Sequence, residues 1–124
     1  MTTPAVHGPD FVALQVADLD AAAAFYHDAL GLRRAPQSPP GAVVFDTAPV
    51  PFAVREPLPG VDLSAGPAGN GVALWLLADD APALHDALTD RGVEVVRGLA
   101  DSPFGQTFTF RDPDGYLVTV HDQP

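Results

Sequence analysis

Two stretches of this chain carry the same order of apolar and polar positions. Residues 12–18 read Val-Ala-Leu-Gln-Val-Ala-Asp, and residues 72–79 read Val-Ala-Leu-Trp-Leu-Leu-Ala-Asp. Each has the length and apolarity of a buried strand, and each closes on an Asp placed to cap a helix. A carboxylate there accepts hydrogen bonds from free amides of the first turn and faces the positive end of the helix dipole. Helical spacing follows in both copies. Ala22, Phe25, Tyr26, Ala29 and Leu30 share one face of a helix predicted from about Leu19 to Leu30. Ala81, Leu84, Ala87 and Leu88 do the same in a second, from about Asp80 to Arg91, with Pro82 tolerated in its first turn. Gly31 and Gly92 stand where left-handed C-terminal caps belong. With Asp18 and Asp79 as caps, each glycine follows its cap by 13 residues. That equality marks the two stretches as copies of one module.

After each helix the pattern changes to short strands. They are predicted near 32–35, 42–46 and 51–56 in the first copy, and near 93–98, 106–111 and 116–121 in the second. The last two are joined by Asp112-Pro113-Asp114-Gly115, a hairpin turn in which Pro presets φ and Gly supplies a positive one. Pro57 to Asn70, rich in Gly and Pro, reads as a linker. The order is βαβββ twice. It predicts an α+β protein of one domain over residues 1–124, with module one at about 10–56 and module two at about 71–122.

Composition narrows the functional classes. A chain of 124 residues holds one core, and 47 % hydrophobic residues are enough to fill it. No apolar run reaches membrane-spanning length, and the N-terminus has no basic-then-apolar signal pattern, so a cytoplasmic protein with no membrane partner is expected. With no Cys there is neither a disulfide framework nor a thiolate site. A net charge of −10 argues against nucleic acid, and it would mildly attract a cationic ligand.

These features resemble the vicinal oxygen chelate superfamily, which includes glyoxalase I, extradiol dioxygenases, fosfomycin-resistance enzymes and bleomycin-resistance proteins. The matching residues are Val16-Ala17-Asp18-Leu19-Asp20, Phe25-Tyr26 and Leu30-Gly31-Leu32 in the first copy. In the second they are Phe110-Arg111-Asp112-Pro113-Asp114-Gly115-Tyr116. The likeness spans about residues 10–122. It implies two curved mixed sheets around a concave ligand cavity, with the helices outside. Metal-dependent members place a His, Gln or Glu on the first strand of each copy and a Glu or similar on the last. Those positions map here onto Phe11, Gly71 and Thr119, and only Glu56, near the end of its strand, offers a carboxylate. Phe and Gly cannot ligate a divalent cation, and a neutral Thr hydroxyl is a poor ligand for one. The resemblance therefore favours the metal-free bleomycin-resistance branch, with no cofactor. Members of that branch are homodimers with grooves between subunits.

Strand alternation suggests the cavity lining. Phe11, Ala13 and Gln15 share the face opposite the aliphatic Val12, Leu14 and Val16. Gly71, Ala73 and Trp75 are expected to face the cavity, as are Leu117, Thr119 and His121. Phe52, Val54 and Glu56 share one face of their strand, and Phe108 and Phe110 one face of theirs, with the side undetermined. The candidate ligand-binding residues are therefore Phe11, Gln15, Phe52, Val54, Glu56, Trp75, Phe108, Phe110, Thr119 and His121. Each has a plainer role open to it: core packing for Trp75, core filling or a dimer contact for Phe11, a solvated strand end for His121. No Ser sits in a nucleophile elbow.

An aromatic and apolar cavity with a few polar groups suits a planar or hydrophobic ligand held by stacking. The expected function is sequestration of such a natural product, as in antibiotic resistance or self-resistance, by a binding protein rather than an enzyme. Two enzyme readings compete. One is a metal-dependent lyase, isomerase or dioxygenase with shifted ligands such as Glu56 and His121. The other is a metal-free enzyme using His121 or Glu56 as general base.

Overall fold

Asp18 adopts an extended conformation and accepts a 3.0 Å hydrogen bond from the Ala21 amide, capping the first helix as its position predicts. The second helix starts one residue later than expected, with Asp80 rather than Asp79 as its cap. Proline explains the difference. A cap at Asp79 would place Pro82 at the position whose amide the cap must engage, and Pro has no N–H. With Asp80 as cap that position is Ala83, whose amide donates to the Asp80 carboxylate at 2.9 Å.

The computed structural model describes residues 4–124. Their order is β1 (Val12–Gln15), α1 (Leu19–Ala24) running into a π-helical turn (Phe25–Ala29), β2 (Ala42–Phe45), β3 (Phe52–Arg55), β4 (Leu74–Leu77), α2 (Ala81–Asp90), β5 (Val95–Ser102), β6 (Gly105–Arg111) and β7 (Leu117–His121). The π turn takes up the residue by which the two helices differ. From cap to glycine the first helix spans 13 residues (Asp18 to Gly31) and the second 12 (Asp80 to Gly92). The closing bonds show the same offset. Gly92 and Val93 donate to Thr89 and Leu88, whereas Gly31 and Leu32 donate to His27 and Tyr26, each one residue further back.

Two open mixed sheets result, ordered β1-β3-β2 and β4-β7-β6-β5. In each, the module's first strand pairs in parallel with its last, β1 with β3 and β4 with β7. The strand expected at 32–35 is reduced to a bridge between Arg34 and Phe45, flanked by bonds from Ala35 to Val44 and from Asp46 to Arg33. Pro36 has no amide to continue the ladder. Gly71 lies in a turn ahead of β4, not in the strand.

Each helix covers one face of its own sheet. Val16, Ala22, Ala23, Tyr26, Phe45, Phe52 and Val54 form the first core, with Val12 and Leu14 against it. Ala81, Leu88, Phe108, Phe110, Val118 and Val120 form the second. Phe25, Leu30 and Leu74 pack against both, and the Phe25 and Phe110 rings approach to 6.0 Å, so the two cores are continuous. The opposite faces of the sheets carry no helix.

Candidate ligand-binding face

Trp75 projects from β4 onto the uncovered face of the second sheet and is 47 % exposed. Its ring meets His121 at 5.6 Å and Phe104 at 6.1 Å, both edge to face, and Phe104 meets His121 at 6.2 Å. Three rings from β4, β7 and the β5–β6 turn thus form one open aromatic cluster. Its geometry follows from pairing. Trp75 stands opposite Thr119 and Leu77 opposite His121, so all four share a face. The turn that carries Phe104 is held by Ser102, which accepts from the Phe104 amide and donates to the Gly105 carbonyl. Nδ1 of His121 lies 3.0 Å from the Gln123 carbonyl, which fixes the imidazole. Phe104 escaped the sequence reading because it lies in a turn, outside any strand alternation.

A cavity of about 370 Å³ runs from this cluster to the junction of the modules. Trp75, Leu77 and His121 line it together with Val12, Phe52 and residues 47–51. A second, of similar size, lies between β1 and Tyr116 and includes Gln15. The Gln15 side-chain oxygen accepts from the Leu58 amide at 2.8 Å, so this residue anchors the start of the 57–70 segment.

The remaining expected residues are distributed as follows. Thr119 lies on the open face, its hydroxyl 2.8 Å from that of Thr109. Phe11 is exposed just ahead of β1. Val54, Phe108 and Phe110 are in the cores, and so is Phe52, which also lines the first cavity. Their strands present these side chains to the helices because Phe52 pairs with Val12, Val54 with Leu14, Phe108 with Val120 and Phe110 with Val118. Val54, Phe108 and Phe110 thus lie under the helices and not in the expected lining, while Phe52 is part of the cavity wall. Glu56 is exposed past the end of β3, and its carboxylate lies near Gly41.

The donor set does not suit a divalent cation. Phe11 and Gly71 supply no ligand, and the Thr119 hydroxyl is engaged by Thr109. Glu56 follows the end of β3 beside Gln15, where the chain approaches Asp114 through Ala17. His121 lies at the far end of β7 from that turn. The two therefore do not converge within one chain. Among the described residues, no three His, Asp or Glu are grouped closely enough to hold a metal ion. No helix among those residues is long and apolar enough to cross a membrane.

The polar groups between the modules serve the fold. One carboxylate oxygen of Asp112 accepts the Asp114 and Tyr116 amides, each at 2.9 Å, and the other accepts the Tyr26 phenol at 2.7 Å. Burial raises the pKa of Asp112, against the lowering effect of these bonds. Burial, together with the adjacent carboxylate, pushes the Tyr26 phenol far above its ordinary value. Asp114 accepts from the Ala17 amide at 2.8 Å, and the Tyr116 phenol donates to the Gln15 carbonyl at 2.6 Å.

A family model for the Glyoxalase/Bleomycin resistance protein/Dioxygenase superfamily matches residues 8–120. The chain belongs to this superfamily. Its fold is the α+β vicinal oxygen chelate fold, with the two sheets left unclosed. Several solved structures align along nearly the whole chain. An antibiotic binding protein from Streptomyces sp. CB03234, TnmS3, is 24 % identical with a TM-score of 0.75, over 98 % of this chain and 100 % of that one. A glyoxalase/bleomycin resistance protein from the same organism is 23 % identical, with a TM-score of 0.74 over 93 % and 100 %. A lactoylglutathione lyase from Agrobacterium tumefaciens is 24 % identical, with a TM-score of 0.68 over 94 % of each chain. At these identities the likeness establishes the fold and leaves the activity open. No curated protein sequence gives a significant match.

Proposed function

We propose that this superfamily member is a metal-free, cytoplasmic binding protein that sequesters a hydrophobic, planar aromatic natural product, as in antibiotic resistance or self-resistance. The open cluster of Trp75, Phe104 and His121 carries this reading. Aromatic rings of a single-domain protein are normally spent in its core, and leaving two of them about half exposed forgoes burial worth roughly 1–2 kcal/mol each. A stacked ligand recovers it. The antibiotic-binding neighbour of the same fold supports the assignment.

One domain serves this function, built of module one (10–56), the 57–70 linker and module two (71–122). Its uncovered sheet faces suit a homodimer, in which a partner's face would enclose the ligand from the other side. Phe11, Gln15 and Thr119 then supply the rim. Titration of planar aromatic natural products into the protein should quench Trp75, the sole tryptophan, and raise the melting temperature. Absence of both effects across such a panel rules the proposal out.

A further inference from the structure

One cross-strand row on the open face has a chemical order of its own. Trp75 pairs with Thr119, Thr119 with Thr109, and Thr109 with Arg97. Residues directly opposite on neighbouring strands of a regular ladder point to the same side. The bulge between Val95, which packs against the second core, and Arg97 is what brings Arg97 opposite Thr109 rather than under the helix. An indole, two hydroxyls and a guanidinium therefore line up across three strand spacings, about 14 Å. The two hydroxyls are 2.8 Å apart, so one donates to the other and the second O–H remains to donate outward.

Arg97 is exposed, and among the described residues it has neither a carboxylate within ion-pair distance nor a hydrogen-bonded acceptor. Of the other five arginines, four find partners: Arg33 pairs with Asp46, Arg111 with Glu94, Arg91 donates to the Asp28 carbonyl and Arg55 to that of Glu56. Arg34, on the edge of the first sheet, shares Arg97's lack of one among those residues. With 16 acidic against 6 basic residues, carboxylates are in excess, which makes an unpaired guanidinium on this face informative. The acids bordering the row are engaged elsewhere. Asp122 accepts from the Ala81 and Gln106 amides, and Asp101 from the Gln106 side chain.

We propose that this row selects a planar aromatic carboxylate. Trp75 stacks on the ring system, the threonine pair donates to an oxygen on the ring, and Arg97 takes the carboxylate through its two-pronged fork. This inference rests on the ligand-binding role of Trp75 and deepens it. It also reverses the cationic preference that net charge alone suggested.

The test uses three matched probes: fluorenone-2-carboxylate, its carboxamide and the corresponding 2-aminomethyl cation. Each is titrated into the intact protein with Trp75 fluorescence as readout. The carboxylate should bind about fivefold more tightly than the amide, and the amine most weakly, with the advantage shrinking as salt is raised. Arg97→Gln, with an unchanged melting temperature, should abolish the carboxylate advantage and leave amide affinity as it was. Equal binding of carboxylate and amide to the wild type overturns the carboxylate assignment while the aromatic site stands. So does an Arg97→Gln variant that weakens both alike or neither. Failure of all three probes to quench removes the aromatic site together with the carboxylate assignment.

Discussion

The Tyr26 phenol donates a 2.7 Å hydrogen bond to Asp112, joining the first helix to a turn 86 residues further along the chain. Both groups are buried. Two sequence motifs, one in each module, are thus halves of a single contact. Tyr26→Phe leaves an Asp112 oxygen without its donor and should cost about 1–3 kcal/mol of unfolding free energy, measured by urea denaturation.

The same contact sets an alkaline limit. The folded phenol has a raised pKa, so above pH 10 the unfolded chain gives up a proton that the folded one retains. Stability should fall as pH rises through that range. Tyr26→Phe should remove this component of the slope, and a wild-type alkaline profile no steeper than the variant's would contradict it.

Asp112 acts in the acid range with the same sign. Its folded pKa is raised above the ordinary 3.8, so its contribution is fully present below that value and is lost as pH rises through the folded pKa. Relative to Asp112→Asn, the wild type should lose stability as pH climbs from about 3.8, read from paired chemical-denaturation curves. A constant difference across that window would refute the assignment.

The aromatic residues divide into two kinds by substitution. Phe108 is 1 % exposed in the second core, and Phe108→Ala should cost about 3–5 kcal/mol. Trp75→Ala should cost about 1 kcal/mol or less yet remove binding of planar aromatics. Thermal melts and calorimetric titration of the two variants check this. A Trp75→Ala protein that binds as well as wild type would exclude the open cluster as the site.

If the uncovered faces meet in a homodimer, native mass spectrometry should show twice the 12.9 kDa chain mass at micromolar concentration. A monomer alone would leave the ligand enclosed on one side only, and would count against a groove between subunits.

By itself the sequence determined the repeat. The C-terminal glycines, the first cap and the Asp-Pro-Asp-Gly turn, which act within a few residues of themselves, sufficed for it. The equal cap-to-glycine spacing did not hold once Asp80 became the second cap. The sequence also determined that Thr119 and His121 share a face of β7, since alternation needs only strand identity, whereas the pairing of β4 with β7 put Trp75 beside them. The tertiary structure decided what local patterns do not encode. The residue added in the first helix became a π turn, and Pro82 moved the second cap to Asp80. Phe52, Val54, Phe108 and Phe110 went to the helix-covered faces, because a strand's alternation fixes which residues share a side but not which side the helix covers. Phe104 and Arg97 joined the site through strand pairing and a turn. Their neighbours in space are distant in sequence, and only the folded sheet brings an indole, two hydroxyls and a guanidinium into one row.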